Sequence, residues 1–168
     1  EYQGRKYRIR ITRLYIEESF VYTICLFDET DLVELQNKKD DSTPVVGLIY
    51  MDNYDEAMES VEEVRKSLLE ALIDRKINQY INSFNGIVKK LEKDKFFFVI
   101  KRENLNSAID VRFDILEDVK TVNIGNEMSI TLSIGIGYGS ENLSRNYELA
   151  RMAMDMALGR GGDQAVVK

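Results

Sequence analysis

Two short acidic segments, each beside an apolar strand pattern, are the parts of this sequence best suited to chemistry. Asp52 and Asp55 directly follow the apolar run 45–51 (VVGLIYM), and the charged segment 92–95 (EKDK) lies between two further apolar runs. Carboxylate oxygens are the ligands that Mg²⁺ prefers in proteins. Asp52, Asp55 and Asp94 are therefore candidate ligands for one Mg²⁺ ion.

The same segments contain candidate contacts for a nucleotide, and each also has a simpler interpretation. The candidates are Asn53, Glu92, Lys93 and Arg160, the last in the glycine-rich run GRGG (159–162). Asp52 and Asn53 stand where a helix N-cap is expected, since short polar side chains accept hydrogen bonds from the first helical turn. The lysines are typical of a solvated hairpin tip, and the glycine run is typical of a helix C-cap.

Composition excludes several classes of function. A chain of 168 residues fits one domain, or one domain and a fragment of another. The net charge of −6 and pI near 4.9 argue against nonspecific binding to nucleic acid. The absence of His removes the commonest general base and the commonest nitrogen ligand for metal or haem. A single cysteine, Cys25, excludes an internal disulfide, and no apolar run is long enough for a membrane span.

The first forty residues predict a β-hairpin followed by a helix. Residues 5–15 alternate apolar and polar side chains, and the run 20–27 (FVYTICLF) is the return strand. Asp28 is the predicted N-cap of a helix that reaches about Lys39. The segment 38–44 then predicts a polar linker, ending in the chain's one proline.

The rest of the chain alternates helical and strand patterns. The predicted order βαββαβαβ gives an α/β (α+β) sandwich, a mixed sheet flanked by helices. The predicted elements are a strand at 45–51, a long helix from 52 to about 84, a hairpin over 86–100, a helix at 103–116, a strand at 129–137, a helix at 147–158 and a strand at 164–167.

Four segments together resemble known domains. IYMDNYDE (49–56) is similar to the I-D-x-D-x-F-K motif of GGDEF domains, EKDKF (92–96) stands in place of Gly-Gly-Asp-Glu-Phe, and TLSIGIG (131–137) matches the T-x-S-I-G strand. The run ARMAMDMALGRGGDQAVV (150–167) resembles, more specifically, the degenerate GGDEF domain of membrane-bound cyclic-di-AMP phosphodiesterases of the GdpP/YybT type. The likeness covers about residues 44–168.

The first 43 residues resemble the end of a PAS domain. Residues 1–27 are similar to its C-terminal strands and residues 28–43 to its linker helix, in which Asp28 and Thr30 match the D-x-T motif that couples sensor to effector. The resemblance implies that the missing half of the PAS domain and a DHH/DHHA1 phosphodiesterase unit are this segment's partners. It also implies a position on the cytoplasmic side of the cell membrane, with transmembrane anchors outside this sequence. Haem binding by the complete PAS domain is left open.

Most catalytic positions of the GGDEF motifs are changed here. The metal-binding carboxylates of that family fall on Tyr50 and Lys95, whereas Asp52 and Asp94 are retained. The R-x-x-D product-inhibition motif would occupy 83–86 and is absent. The resemblance therefore implies no diguanylate cyclase activity. The signature glycines fall on Glu92 and Lys93, the base-contacting residues on Met58 and Ser67, and the phosphate-gripping residues on Leu158 and Gly162.

Three functions follow as hypotheses. The first is a regulatory segment of an enzyme that hydrolyses cyclic-di-AMP to pApA through its DHH/DHHA1 unit, with this segment relaying PAS signals and binding a purine nucleotide. The second is a weak Mg²⁺-dependent ATPase that uses Asp52 and its neighbours. The third is a ligand-free homodimerisation module, formed by the helix around Leu32 and Leu35 and by the helix that carries Met152, Met154 and Met156.

Overall fold

The computed structural model describes residues 2–16 and 19–168, which form two compact units. The first unit is Glu1–Asp41 and the second is Ser42–Lys168. Among the described residues, no helix is both long enough and apolar enough to cross a membrane.

The first unit is the predicted hairpin and helix. Strands β1 (Tyr7–Ile16) and β2 (Ser19–Asp28) pair in antiparallel register, and helix α1 (Thr30–Asp41) follows. The turn expected between the strands includes residues 17–18, which lie outside the described residues. None of the described residues of this unit is buried, because two strands alone cannot enclose a core. The polar linker predicted at 38–44 is wrong in its first half, since helix α1 continues through those residues to Asp41.

The second unit is a five-stranded mixed sheet with helices on both faces, which confirms the predicted fold class. The strand order is β4-β5-β3-β6-β7, and only the β6–β7 pair is parallel among the described strands. The elements are β3 (Pro44–Met51), α2 (Tyr54–Glu59), α3 (Glu63–Ser83), β4 (Ile87–Lys90), β5 (Lys95–Lys101), α4 (Arg102–Asp110), α5 (Ile115–Lys120), β6 (Leu132–Gly137), α6 (Leu143–Gly159) and β7 (Ala165–Val167).

Alternation along the central strands divides the core between two faces. Ile49 and its same-face neighbours pack against the apolar side of α3, whereas Val46 and Leu48 pack against Ala150 and Met154 of α6. Helix α6 lies so close to β6 that a Cβ at Gly137 would stand 2.0 Å from the Asn146 carbonyl oxygen. The glycines of β6 therefore allow close packing of helix on strand.

Both long helices expected in this unit are broken in the structure. The helix predicted from 52 to 84 is divided at 60–62, where the Ser60 hydroxyl donates to the carbonyl of Ala57 at 2.8 Å and ends α2. No proline or glycine marks that break, and the apolar spacing continues across it. The sequence pattern therefore could not reveal it.

The helix predicted at 103–116 is divided at 111–114. Arg112 and Phe113 both take left-handed conformations, with φ of 53° and 52°, and this turn buries the Phe113 side chain. Ile109, in the last turn of α4, is 42% exposed, because the helix ends at Asp110 and does not continue along the predicted apolar face.

Candidate functional site

The structure brings the hairpin tip and the start of helix α2 together around an open groove of about 490 Å³. Its lining consists of Tyr54, Asp55, Glu92, Lys93, Asp94 and Lys95. The backbone N–H of Met51 donates to the Asp94 carbonyl at 2.9 Å, which holds the tip beside the end of β3. Four of the predicted site residues thus share one surface, and we call it the hairpin groove.

Lys95 is the residue that most changes the electrostatics of the hairpin groove. Its ammonium nitrogen lies 2.6 Å from a carboxylate oxygen of Glu92 and 5.6 Å from the centre of the Tyr50 ring, directly across the β3–β5 pair. The hydrogen bond to Glu92 raises the pKa of Lys95, and burial raises the pKa of Tyr50. A stable cation and a neutral ring therefore occupy the two positions on which the metal carboxylates of GGDEF domains fall.

Asp52 does not line the hairpin groove. Its carboxylate oxygen Oδ2 accepts a hydrogen bond of 2.9 Å from the backbone N–H of Asp163, and a Cβ at Gly162 would lie only 2.9 Å from its Cγ. Its other oxygen, Oδ1, is buried and has no hydrogen-bond partner among the described residues. Asp52 therefore fastens the turn after helix α6 to the end of strand β3, and we call this contact the Asp52 clasp.

Asn53 also has a structural role that differs from the predicted one. It occupies the N-cap position of α2, but its side chain makes no capping hydrogen bond. Its amide instead donates to the Ser129 carbonyl at 2.8 Å and accepts from the Thr131 N–H at 3.0 Å. The capping interpretation is wrong for Asn53, because its side chain is used to hold the segment before β6.

The described residues contain no group of three or more Cys, Asp or Glu side chains arranged to hold a metal ion. Asp55 and Asp94 line the hairpin groove, whereas the carboxylate of Asp52 is engaged in the clasp. The Tyr54 hydroxyl donates to Glu70, and burial together with this bond raises the pKa of Tyr54. The candidate Mg²⁺ ligands thus do not form a ready-made cluster.

Arg160 lies at the C-terminal end of helix α6 and is exposed. The turn that follows has left-handed glycines, with φ of 104° at Gly161 and 76° at Gly162, and the Gly162 N–H donates to the Ala157 carbonyl at 3.0 Å. This arrangement confirms the C-cap interpretation of the glycine run. Arg160 is not among the residues that line the hairpin groove.

An ion pair that sequence reasoning missed supports the same turn. The ammonium group of Lys120 lies 2.7 Å from the carboxylate of Asp163 and 2.8 Å from that of Glu117. Both hydrogen bonds raise the pKa of Lys120, and the bond to Asp163 has the larger effect. Lys120 and Asp163 are far apart along the chain, so no local pattern could have indicated their contact.

The D-x-T segment links the start of helix α1 to the residues that precede strand β1. Asp28 accepts hydrogen bonds from the backbone N–H of Thr30 at 3.0 Å and from its hydroxyl at 2.6 Å. Both hydrogen bonds lower the pKa of Asp28, and the bond from the Thr30 hydroxyl has the larger effect. Arg5 pairs with Asp28 at 3.1 Å, and the Lys6 N–H donates to the Thr30 hydroxyl oxygen at 3.0 Å. Helix α1 is thereby fastened to the segment that enters β1.

Asp28 lies one residue before the N-cap of helix α1, and not at the N-cap itself as the sequence predicted. The first helical hydrogen bond runs from the Val33 N–H to the carbonyl of Glu29, which places the N-cap at Glu29. Asp28 still satisfies a free N–H of the first turn, that of Thr30.

Comparison with known proteins identifies the second unit. Residues 49–168 match the family model described as "Cyclic-di-AMP phosphodiesterase GdpP-like, GGDEF domain". Two similar curated proteins are the cyclic-di-AMP phosphodiesterase GdpP of Geobacillus thermodenitrificans, 32% identical over 168 residues, and the cyclic-di-AMP phosphodiesterase PdeA of Listeria monocytogenes, 32% identical over 143. The alignments cover 100% and 85% of this chain but only 25% and 22% of those proteins. The chain therefore spans about a quarter of the length of these relatives.

Solved structures show the same fold at low sequence identity. The active GGEEF domain of a diguanylate cyclase from Vibrio cholerae superimposes with a TM-score of 0.62 at 14% identity, covering 81% of this chain and 88% of that one. The GGDEF domain of DgcB from Caulobacter crescentus, in complex with c-di-GMP, gives a TM-score of 0.65 at 14% identity, covering 83% and 85%.

Proposed function

Because this chain belongs to the GGDEF domain family of GdpP-like cyclic-di-AMP phosphodiesterases, we propose that it is a regulatory segment of such an enzyme and has no diguanylate cyclase activity. The observation that carries this proposal is the contact between Lys95 and Tyr50. Phosphoryl transfer between nucleotides depends on divalent metal to neutralise the triphosphate and the developing charge. A cation fixed where a metal ligand should stand repels that metal.

Glu92 is a second obstacle to metal binding in the hairpin groove. Its carboxylate accepts a 2.6 Å hydrogen bond from the Lys95 ammonium and would have to give up that bond before it could coordinate a metal ion. Glu92 also stands where the GGDEF motif has a glycine, so the close approach of backbone to nucleotide that a glycine allows is lost at that position.

The activity of the whole enzyme is assigned to parts outside this chain. The two relatives are named cyclic-di-AMP phosphodiesterases, and this chain spans about a quarter of each. We assign the hydrolysis of cyclic-di-AMP to pApA to a DHH/DHHA1 unit beyond residue 168. This segment would work on the cytoplasmic side of the membrane, as part of a homodimer.

The first unit is the proposed route for the signal. The bonds among Arg5, Asp28 and Thr30 connect the start of strand β1 to the start of helix α1. A shift of the strands within a complete PAS domain would therefore pull on the helix that leads to the GGDEF domain. Asp28→Ala in the full-length enzyme is expected to change diesterase output in response to the signal.

Weak nucleotide binding in the hairpin groove is a second candidate function, and the groove itself is the observation in its favour. The groove is open, and its exposed Lys93 forms no ion pair with any described residue, so it can meet a phosphate. ATP with Mg²⁺ is the proposed ligand. The described acids form no ready-made metal cluster, so the proposed function is binding of ATP and not its hydrolysis.

One pair of measurements tests both functions. The chain is incubated with GTP and Mg²⁺ and assayed for cyclic-di-GMP, and the expected result is no product; detectable product would refute the regulatory proposal. ATP is then titrated by NMR, with and without Mg²⁺, and amide shifts are expected at residues 92–95. Lys93→Gln should weaken those shifts, while Lys89→Gln, an exposed lysine on strand β4, serves as the control. No shift at millimolar ATP would eliminate the nucleotide site.

A further inference from the structure

A cavity of about 320 Å³ lies between helix α3 and the segment that follows helix α5. Four residues of α3 and four consecutive residues of the later segment form its walls, and none of the eight is acidic. None of them belongs to the hairpin groove or to the Asp52 clasp. The volume falls within the range of pockets that bind small molecules. The lining residues are Leu72, Arg75, Lys76, Gln79, Thr121, Val122, Asn123 and Ile124.

Arg75 supplies an unused positive charge to this cavity. It is exposed and forms no hydrogen bond or ion pair with any residue in the described ranges. The adjacent Lys76 differs, because its ammonium nitrogen lies 2.6 Å from a carboxylate oxygen of Asp118. The chain as a whole carries a net charge of −6, so an anion drawn to this surface responds to the local guanidinium and not to the global charge.

The wall formed by residues 121–124 combines apolar surface with a fixed backbone. Val122 is buried and Ile124 is partly buried, and Leu72 of helix α3 is partly buried against the same core. The Ile124 N–H donates to the Asn126 side chain at 3.0 Å, and the Ile124 carbonyl accepts from Arg65 at 3.1 Å. Because these bonds hold the segment in place, the cavity is formed before any ligand arrives, which lowers the entropic cost of binding.

We propose that this cavity binds a small organic anion, with its phosphate or carboxylate on Arg75 and its apolar part against Leu72, Val122 and Ile124. The guanidinium presents a planar fork of N–H donors that matches either anionic group in a bidentate geometry. The side-chain amide of Gln79, one helical turn beyond Arg75, faces the same cavity and adds a donor. A bound anion bridges α3 and the segment that leads into β6.

The test uses phenyl phosphate, which carries both an anionic and an apolar group, and inorganic phosphate, which lacks the second. Titration of the 168-residue chain by NMR should shift amides at 72–79 and 121–124, and phenyl phosphate should bind more tightly than inorganic phosphate. Equal affinity for the two probes would remove the apolar half of the proposal. Shifts spread over the surface, without saturation at these residues, would remove the site.

Two arginine variants separate the cavity from general attraction of anions. Arg75→Gln should weaken phenyl phosphate binding at least roughly tenfold, because a charge-assisted hydrogen bond is lost. Arg75→Lys, which keeps the charge but loses the fork, should fall between that variant and the native chain. Arg151→Gln removes an exposed arginine of helix α6 outside the cavity and should change nothing. Equal weakening by Arg75→Gln and Arg151→Gln, with native amide spectra for both, would overturn the proposal.

Discussion

The two aspartates retained from the GGDEF motifs, Asp94 and Asp52, occupy opposite kinds of surroundings. Asp94 lines the open hairpin groove, beside an ion pair that places a cation where a metal ligand belongs. Asp52 is closed in by the Gly162 turn and bonded to the Asp163 backbone. Asp94 is still accessible but no longer stands beside the metal-binding acid of the motif. Asp52 instead has a structural hydrogen bond to the Asp163 backbone. A retained acid is therefore not evidence of a retained site.

The largest effect in this comparison is expected at Gly162, in the turn that packs against Asp52. Gly162→Ala should lower the free energy of unfolding by about 2–3 kcal/mol, because it adds a side chain in the left-handed region and forces it against Asp52. Gly161→Ala is the matched control, since its φ of 104° is also left-handed but a Cβ there meets nothing within 4 Å. Urea denaturation measures both. If the two variants lose equal stability, the contact with Asp52 contributes nothing.

Removing the Asp52 carboxylate should have the next largest effect. Asp52→Ala is expected to cost about 1–2 kcal/mol, since the lost charge-assisted bond to Asp163 is partly offset by relief of the unpartnered Oδ1. Asp52→Asn keeps an acceptor and should cost less. Asp55→Ala, at an exposed position in the groove, should stay within about 0.5 kcal/mol.

Millimolar Mg²⁺ distinguishes the clasp from a metal site in the same experiment. A ligand that binds only the folded chain raises its stability by mass action. We expect Mg²⁺ to leave the difference between native Asp52 and Asp52→Ala unchanged. A loss that grows when Mg²⁺ is added would make Asp52 a metal ligand, in conflict with the clasp.

The sequence predicts strands β3 and β5 of the second unit because each contains a long apolar run. The run 45–51 predicts a buried strand in any context, and β3 is indeed the middle strand of the sheet. The ends of the helices were harder to predict from the sequence. The break at 60–62 depends on tertiary packing and contains neither proline nor glycine. The assignment of residues 1–27 to a PAS domain remains a prediction, because an exposed hairpin is compatible with several complete domains.

The candidate site was harder to predict than the fold, since its decisive contacts join distant residues. Asp52 and Asp163 are 111 residues apart, and nothing near either one indicates the other. A short polar side chain after a strand is usually a helix cap, so the local pattern favoured capping for Asn53. The contact of Lys95 with Tyr50 could have been found, because once the hairpin is registered against β3 the two positions face each other.

The smallest effect is expected at the hairpin tip, where the Lys95 ammonium can be followed directly. Its pKa is raised by the bond to Glu92, so NMR titration should place it above that of an ordinary lysine, and Glu92→Gln should return it towards the usual value. Because the folded-state pKa is the higher one, the stabilisation is complete below the unfolded value near 10.5 and is lost as pH rises through the folded value. Both groups are exposed, so the change in stability should be slight. Lys89, outside the tip, is the control. If Glu92→Gln leaves the Lys95 titration unchanged, the ion pair does not persist in solution, and the Glu92 carboxylate is then not held by Lys95.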